Sequence, residues 1–290
     1  MKYIKKYLPY ILVVILFLSA FSIWYIIYKE KNQSDYLTVA FLDVGQGDSI
    51  FIEAPNGKQM LIDAGPNGEV LGRLGEVMSF GDRSIDIVLE THADLDHIGG
   101  LPLVLDNYKV ASVIRNGVGK ETEIYKNLED KIVKKKIQKI IAYRGMKIIL
   151  DEKRNIYFDI IFPDRDVSQM ESNDGGVVGK LYYGEQTFMF MGDATIYTEN
   201  IIGWNENSSV IESDVLKLGH HGSKTSSSVL WLEQVNPEVA IISVDKNNRY
   251  GHPHPEVLER LDNLGINYLN TYENGNVIFK TDGEKLIYAK

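Results

Sequence analysis

The residues best equipped for chemistry are the six histidines, which fall in three tight groups: His92 with His97, His220 with His221, and His252 with His254. The first group lies in the stretch THADLDHIGG, where His92, Asp94, Asp96 and His97 crowd into six consecutive positions. Imidazole and carboxylate at that density are metal-ligand types. Cysteine is absent, so any ion must sit on nitrogen and oxygen donors. Residues two apart in an extended chain point the same way, which lets His92 and Asp94 share one ion. Asp96 and His97 stand where a helix begins and can turn toward a second. A helix cap is the competing use of Asp94 or Asp96. It accounts for one carboxylate and not for four ligand types together.

The second group lies in LKLGHHGSKTSSS, after an apolar run, with Gly219 and Gly222 allowing the backbone to fold closely around His220 and His221. Both histidines are ligand candidates. Ser223 and the neighbouring amides suit a phosphate oxygen, although a serine-rich stretch is also an ordinary loop composition. In the third group, NNRYGHPHP, His252 sits between Gly251 and Pro253, where it is placed to pass a proton to a leaving oxygen. His254 reads as a surface residue.

These clusters need a scaffold that delivers loops to one place. The stretch LTVAFLDVGQGDSIFIEAPNGKQMLIDAG alternates apolar residues around Asn56-Gly57, which predicts a two-stranded hairpin ending at Asp63. VVGKLYYGEQTFMFMGDA repeats the form, turning at Gly184 and ending at Asp193, so the chain looks internally duplicated. Between them, SIDIVLE and VASVIRN read as buried strands and ETEIYKNLEDKIVKKKIQKII as a helix. DVLKLG and VAIISV follow as strands, and PEVLERLDNL as a helix stopped by Gly265. Two mixed sheets with helices outside is the simplest packing of this order.

The net charge of -9 argues against broad nonspecific nucleic-acid binding without excluding a small cationic or metal-filled cleft. A content of 44% apolar residues supplies a substantial core. From Tyr7 to Tyr28 no residue is charged, which matches a helix crossing a bilayer core of roughly 30 Å. Three lysines precede this run, and two lysines with one glutamate follow it. That bias places the N-terminus inside and the body outside. A cleaved signal peptide, with small residues in LSAFS, is the alternative. The expected division is a membrane anchor over residues 1–28, a linker over 29–36 and one domain over 37–290.

With these residues in view, the chain resembles the metallo-β-lactamase fold superfamily, and within it the hydrolase domain of ComEC-type DNA-uptake proteins. FLDVGQGDS, IDAG, THADLDHIGG, FMGDA, LKLGHHGS and YGHPHP stand in that family's order and roughly at its spacing, across essentially all of residues 37–285. The resemblance implies an α/β fold, an αββα sandwich with a site for two divalent metal ions, zinc or manganese, at one edge. By the same resemblance His92 and Asp94 match ligands of the first ion, Asp96 and His97 of the second, and Asp193 the carboxylate between them. The HHGS segment supplies the last ligand of the second ion. His221 is favoured for it, with His220 held as a substrate contact.

Asn173 stands where the wider superfamily places a third histidine, and Gly175 and Gly176 replace a polar pair usual beside it. Carboxylate at Asp94 and amide at Asn173 would make the first position oxygen-rich and its ion exchangeable, suited to manganese or magnesium, whereas the second keeps a zinc-like set. The many membrane spans and the oligonucleotide-binding domain of an uptake channel are not in this sequence, so the chain is not expected to be the channel itself.

Together these readings predict a membrane-anchored, outward-facing metal-dependent hydrolase at the cell membrane. A phosphodiesterase or nuclease acting on DNA is the leading form, with Asp96 and His252 carrying catalysis. A phosphoesterase on cell-envelope phosphoesters such as phosphocholine is one alternative, and a non-catalytic envelope binding module is another. The expected partners are DNA or another phosphodiester, and the membrane through the N-terminal helix. No protein partner is expected.

Overall fold

The strand β1 (Leu37–Phe41) shows how both sheets are built: Leu37, Val39 and Phe41 face one side and Ala40 the other, because side chains alternate along a strand. In this computed structural model, which describes residues 2–31 and 35–289, two such sheets lie face to face. The first joins β1 to β2 (Ile50–Glu53), β3 (Gln59–Ile62), β4 (Ser84–Glu90), β5 (Lys109–Arg115) and β6 (Gln138–Ile141) in sequence order. The second holds β7 (Lys147–Asp151), β8 (Ile156–Phe162), β9 (Val178–Tyr183), β10 (Gln186–Phe190), β11 (Val215–Lys217), β12 (Val239–Ile242) and β13 (Asn267–Asn270). The chain then returns to the first sheet, where β14 (Val277–Thr281) pairs with β1 and β15 (Leu286–Tyr288) with β14.

Between the sheets Phe41, Phe158, Phe188, Phe190 and Phe279 pack ring against ring, with neighbouring centroids 5.7–6.5 Å apart. Each is buried, and full burial of such a side chain contributes roughly 1.5–3 kcal/mol. Helices cover the outer faces. Leu74, Leu105 and Leu128 close an apolar layer over the first sheet, and Ile202, Trp231 and Leu261 one over the second. The expected αββα sandwich is therefore the observed fold.

Strand direction is what makes the site. β3, β4 and β5 run parallel, as do β10, β11 and β12, and ligands in α/β folds gather beyond carboxyl ends. Asp63 follows β3, His92 follows β4, Asp193 follows β10, and His220 follows β11. The two predicted hairpins are present, with Gly57 and Gly184 in left-handed conformation at their turns. The first stretch nevertheless holds three strands where two were expected, because the VGQG loop breaks the run between β1 and β2.

Two further expectations change. The helix predicted through Ile141 ends at Lys135, where left-handed Lys136 closes it, and residues 138–141 form edge strand β6 beside β5. The backbone of residues 138–141 completes hydrogen bonds to β5, and Ile140 packs on the core between the sheets. The apolar N-terminal helix spans Lys2–Lys31, so it runs into the segment expected as a linker. Residues 32–34 of that linker lie outside the described residues. By length and composition, Tyr7–Tyr25 is apolar enough to cross a membrane.

Candidate metal centre

Asp193 sits at the middle of the cluster, and its two oxygens face different pairs of histidines. Oδ1 is 3.2 Å from His97 Nε2 and 3.4 Å from His221 Nε2, while Oδ2 is 4.0 Å from His92 Nε2 and 3.8 Å from His220 Nε2. Asp96 Oδ2 completes the first of these faces at 3.4 Å from His221 Nε2. Asp96, His97, Asp193 and His221 each offer a donor atom within 4.8 Å of all the others. Asp94 Oδ1 stands on the second face, 3.9 Å from His92 Nε2.

A divalent ion with bonds of about 2.0 Å in tetrahedral geometry separates its donors by roughly 3.3 Å. The face of His97 and His221 already has that spacing. The face of His92 and His220 is wider and would have to contract by about half an ångström to hold an ion. Nε2 of His92, His97 and His221 and Oδ1 of Asp193 are buried without an aligned hydrogen-bond partner among the described residues. Most buried polar side-chain atoms in proteins find a partner, and four that converge on one point without one fit a cation between them.

The other nitrogen of each ring is held from behind. His97 Nδ1 lies 2.7 Å from Asp63 Oδ2, and Asp63 in turn accepts from the backbone N–H (2.8 Å) and hydroxyl (2.6 Å) of Thr91. His221 Nδ1 lies 2.9 Å from the carbonyl of Ser243 and 3.3 Å from Asp48 Oδ1, which pairs with the fully buried Lys217 at 2.8 Å. His92 Nδ1 is 3.0 Å from the Thr91 hydroxyl. Such contacts fix ring orientation and leave Nε2 as the donor.

Burial works against charge on every one of these groups, and the neighbours decide the outcome. His97 is nevertheless raised well above its ordinary value by Asp193 and Asp63, and His221 is raised to about 9 by Asp193 and Asp48. On the other face, burial pushes His92 down to about 4, helped by the charge on His97, and it lowers His220 as well. Burial likewise opposes ionisation of Asp94, yet His92, Lys120 and Ser172 hold it below the usual carboxylate range. Lys120 and Ser172 both bond to Asp94 Oδ1.

The loops explain this geometry. Asp94 occupies the N-cap position of the short helix Leu95–Ile98, but its side chain makes no capping bond and turns to Lys120 instead. A Cβ on Gly99 would collide with the carbonyl of Pro66, so the glycines after His97 allow the ligand loop to press onto the segment after β3. His220 and His221 both adopt left-handed backbone, φ 48° and 54°, unusual for two successive non-glycine residues. Their rings lie at 70° to each other, which sends one to each side of Asp193.

The structure places three of the expected site residues in detail. His220, held both as a ligand candidate and as a substrate contact, stands with His92 and Asp94, so two imidazoles face Asp193 Oδ2. Asn173, expected there as a ligand, packs its amide 3.4 Å from the ring nitrogens of His220. Ser223 is buried with its hydroxyl 2.9 Å from that of Thr225, which faces His220 at 3.3 Å, so it steadies a loop instead of facing open space. Gly175 packs closely against Val167, whereas a Cβ on Gly176 would stand 3.8 Å from His92 Nδ1, in ordinary contact. His252 borders the cluster, its ring 5.3 Å from that of His220, and His254 accepts a backbone bond from Lys224 as a loop residue. Asp48, Asp63, Lys217 and Lys120 were not read as parts of the site. FLDVGQGDS and IDAG carried two of them in plain view.

The chain belongs to the metallo-β-lactamase superfamily, whose family model matches residues 42–245. It is a metal-dependent hydrolase of that fold, related to competence proteins. ComE operon protein 3 of Bacillus subtilis (strain 168) is 31% identical over 263 residues, covering 83% of this chain and 33% of its own length. Competence protein ComA of Neisseria gonorrhoeae is 28% identical over 255 residues, covering 86% of this chain and 33% of its own. The chain thus spans about a third of these relatives. Among solved structures, the metallo-beta-lactamase fold protein YhfI from Bacillus subtilis superposes with a TM-score of 0.57 at 10% identity, covering 84% of this chain and all of that one, a likeness of fold.

Proposed function

We propose that this chain is a membrane-anchored, outward-facing phosphodiesterase that acts on DNA and holds two divalent ions, zinc or manganese. The observation that carries the reading is Asp193, whose oxygens each face a separate pair of imidazoles. His97, His221, Asp96 and Asp193 would hold one ion, and His92, His220, Asp94 and Asp193 the other. Paired ions of this kind supply a water activated at neutral pH and offset charge developing on phosphoryl oxygens. Asp63 and Asp48 keep the His97 and His221 rings turned so that Nε2 faces inward.

In this reading His252 faces the leaving oxygen. Burial, with His220 and His221 beside it, pushes its pKa down to about 4, so the ring is neutral at pH 7. It then serves as a hydrogen-bonding group rather than the resident proton store expected from sequence. Outward orientation draws support from the lysine bias around the apolar helix.

The test uses the full chain in detergent micelles with zinc or manganese, offered single- and double-stranded DNA, a generic phosphodiester and phosphocholine esters. Cleavage of DNA supports the proposal. Turnover of phosphocholine esters alone transfers the site to envelope phosphoesters, and turnover of none leaves a binding module.

A further inference from the structure

A cavity of about 440 Å³ opens directly onto the metal-ligand loop, and its walls are of two kinds. The ligand candidates Asp94 and Asp96 line it together with Leu95, Asn248, Arg249 and Tyr250. Leu95 is 58% exposed and Tyr250 50% exposed, large apolar surfaces left in water beside the reacting centre. Neither contributes to the three apolar cores. Resting on the phosphodiesterase reading above, we infer that this cleft is a base-stacking subsite, in which a nucleobase of an unpaired nucleic-acid strand lies against Tyr250 and Leu95 while Arg249 takes a flanking phosphate.

The cleft is built for that class of ligand. Its volume falls in the range of small-ligand pockets, which is large enough for a nucleotide. Tyr250 is presented on a pinned loop: Asn248 Oδ1 accepts the backbone N–H groups of Tyr250 (3.1 Å) and His252 (3.0 Å), and Asn248 Nδ2 donates to the Asp245 carbonyl (2.8 Å). The Tyr250 ring stacks on His252 at 5.7 Å with a 26° tilt, extending an aromatic surface from the cleft toward the histidine cluster. Arg249 is the cation lining the cleft, and its Nη2 donates to the Tyr250 hydroxyl at 2.8 Å. Guanidinium and aromatic planes both accept stacked bases, and the guanidinium also pairs with phosphate.

Other occupants fit less well. A quaternary ammonium group seeks several aromatic faces free of competing charge. Here the Arg249 guanidinium already lies 5.0 Å from the centroid of the Tyr250 ring and would repel it. In a duplex the bases are stacked inside and do not reach a wall-mounted ring. An unpaired strand offers both parts together, a free base and a phosphate next to it.

The test is a binding cycle on the full chain in micelles with manganese, read by fluorescence anisotropy. The probes are hexathymidylate with phosphorothioate linkages, which resists turnover, and the same backbone carrying abasic sugars. The unaltered chain should prefer the base-bearing strand by about tenfold or more. Tyr250→Ala should reduce that preference to about twofold or less, and Tyr250→Trp should keep it, which separates stacking from a folding defect. An unaltered chain without preference, a Tyr250→Ala variant that keeps it, or no binding of either strand overturns the inference. Hydrolysis of unmodified strands is scored separately. Base preference without cleavage refutes the phosphodiesterase reading alone, and cleavage without base preference refutes the cleft alone.

Discussion

Asp193 divides the metal centre into two faces built from similar residues but prepared to different degrees. On the face of Asp96, His97 and His221, donor separations are 3.2–3.4 Å, and Asp63, Asp48 and the Ser243 carbonyl hold the rings in place. Despite burial, Asp193 with Asp63 raises His97 and Asp193 with Asp48 raises His221, the latter to about 9, so this face favours positive charge where a cation would stand. On the face of His92, Asp94 and His220, separations are 3.8–4.0 Å and Lys120 already satisfies part of the Asp94 charge. One face is a braced, carboxylate-backed socket and the other a wider one that would have to close around an ion. Donor type alone does not make this difference. Each face has two imidazoles and shares Asp193, and what separates them is the layer behind the ligands.

The largest effect should come from the residue common to both faces. Asp193→Ala should remove half or more of the bound metal and lower hydrolase activity by on the order of 1,000-fold. Full metal loading with full activity would remove the two-faced account altogether. Asp63→Asn should act on one face only, weakening the tighter ion by about 10- to 100-fold while leaving the other within about twofold, as measured by competition with a chelating dye. Equal loss from both faces would show that Asp63 supports the whole edge rather than His97.

A third expectation concerns pH. His97 and His221 have folded values raised above the ordinary 6.5, the latter to about 9, so the stability they contribute to the metal-free protein is complete below pH 6.5 and lost as pH rises through about 9. The melting temperature of chelator-treated protein should therefore fall across that window, and that of metal-loaded protein should fall less. Parallel curves would mean that metal and protons do not compete. The smallest effect belongs to Lys120→Met, which should tighten the weaker ion by no more than about fivefold, since the lysine and Asp94 are both partly solvated. Weaker binding in that variant would recast Lys120 as a support for Asp94.

Much of this was legible in the residues. The strand alternation, the two glycine turns, the helix closed by Gly265 and the ligand density of THADLDHIGG all follow from local chemistry that tertiary contacts did not override. The duplicated strand-end aspartates were also visible, but not their division of labour. Asp193 enters the cluster, whereas Asp63, with φ 55°, stands behind His97. Sequence spacing cannot place two adjacent histidines on opposite sides of a carboxylate, because that depends on left-handed backbone at His220 and His221. Nor does it bring Lys120 to Asp94, a contact made by folding the loop after β5 over the end of β4. The helical periodicity of the lysine-rich run reads on through Ile141, yet residues 138–141 form an edge strand, since their backbone completes hydrogen bonds to β5.

The central claim is that the two faces differ in readiness, and a zinc titration of the metal-free full chain, followed by calorimetry, measures it directly. The account predicts two classes of site separated by about tenfold or more in affinity, with His221→Ala removing the tighter class and His92→Ala the weaker. Two sites of equal affinity, or loss of the tighter class in His92→Ala, would contradict it.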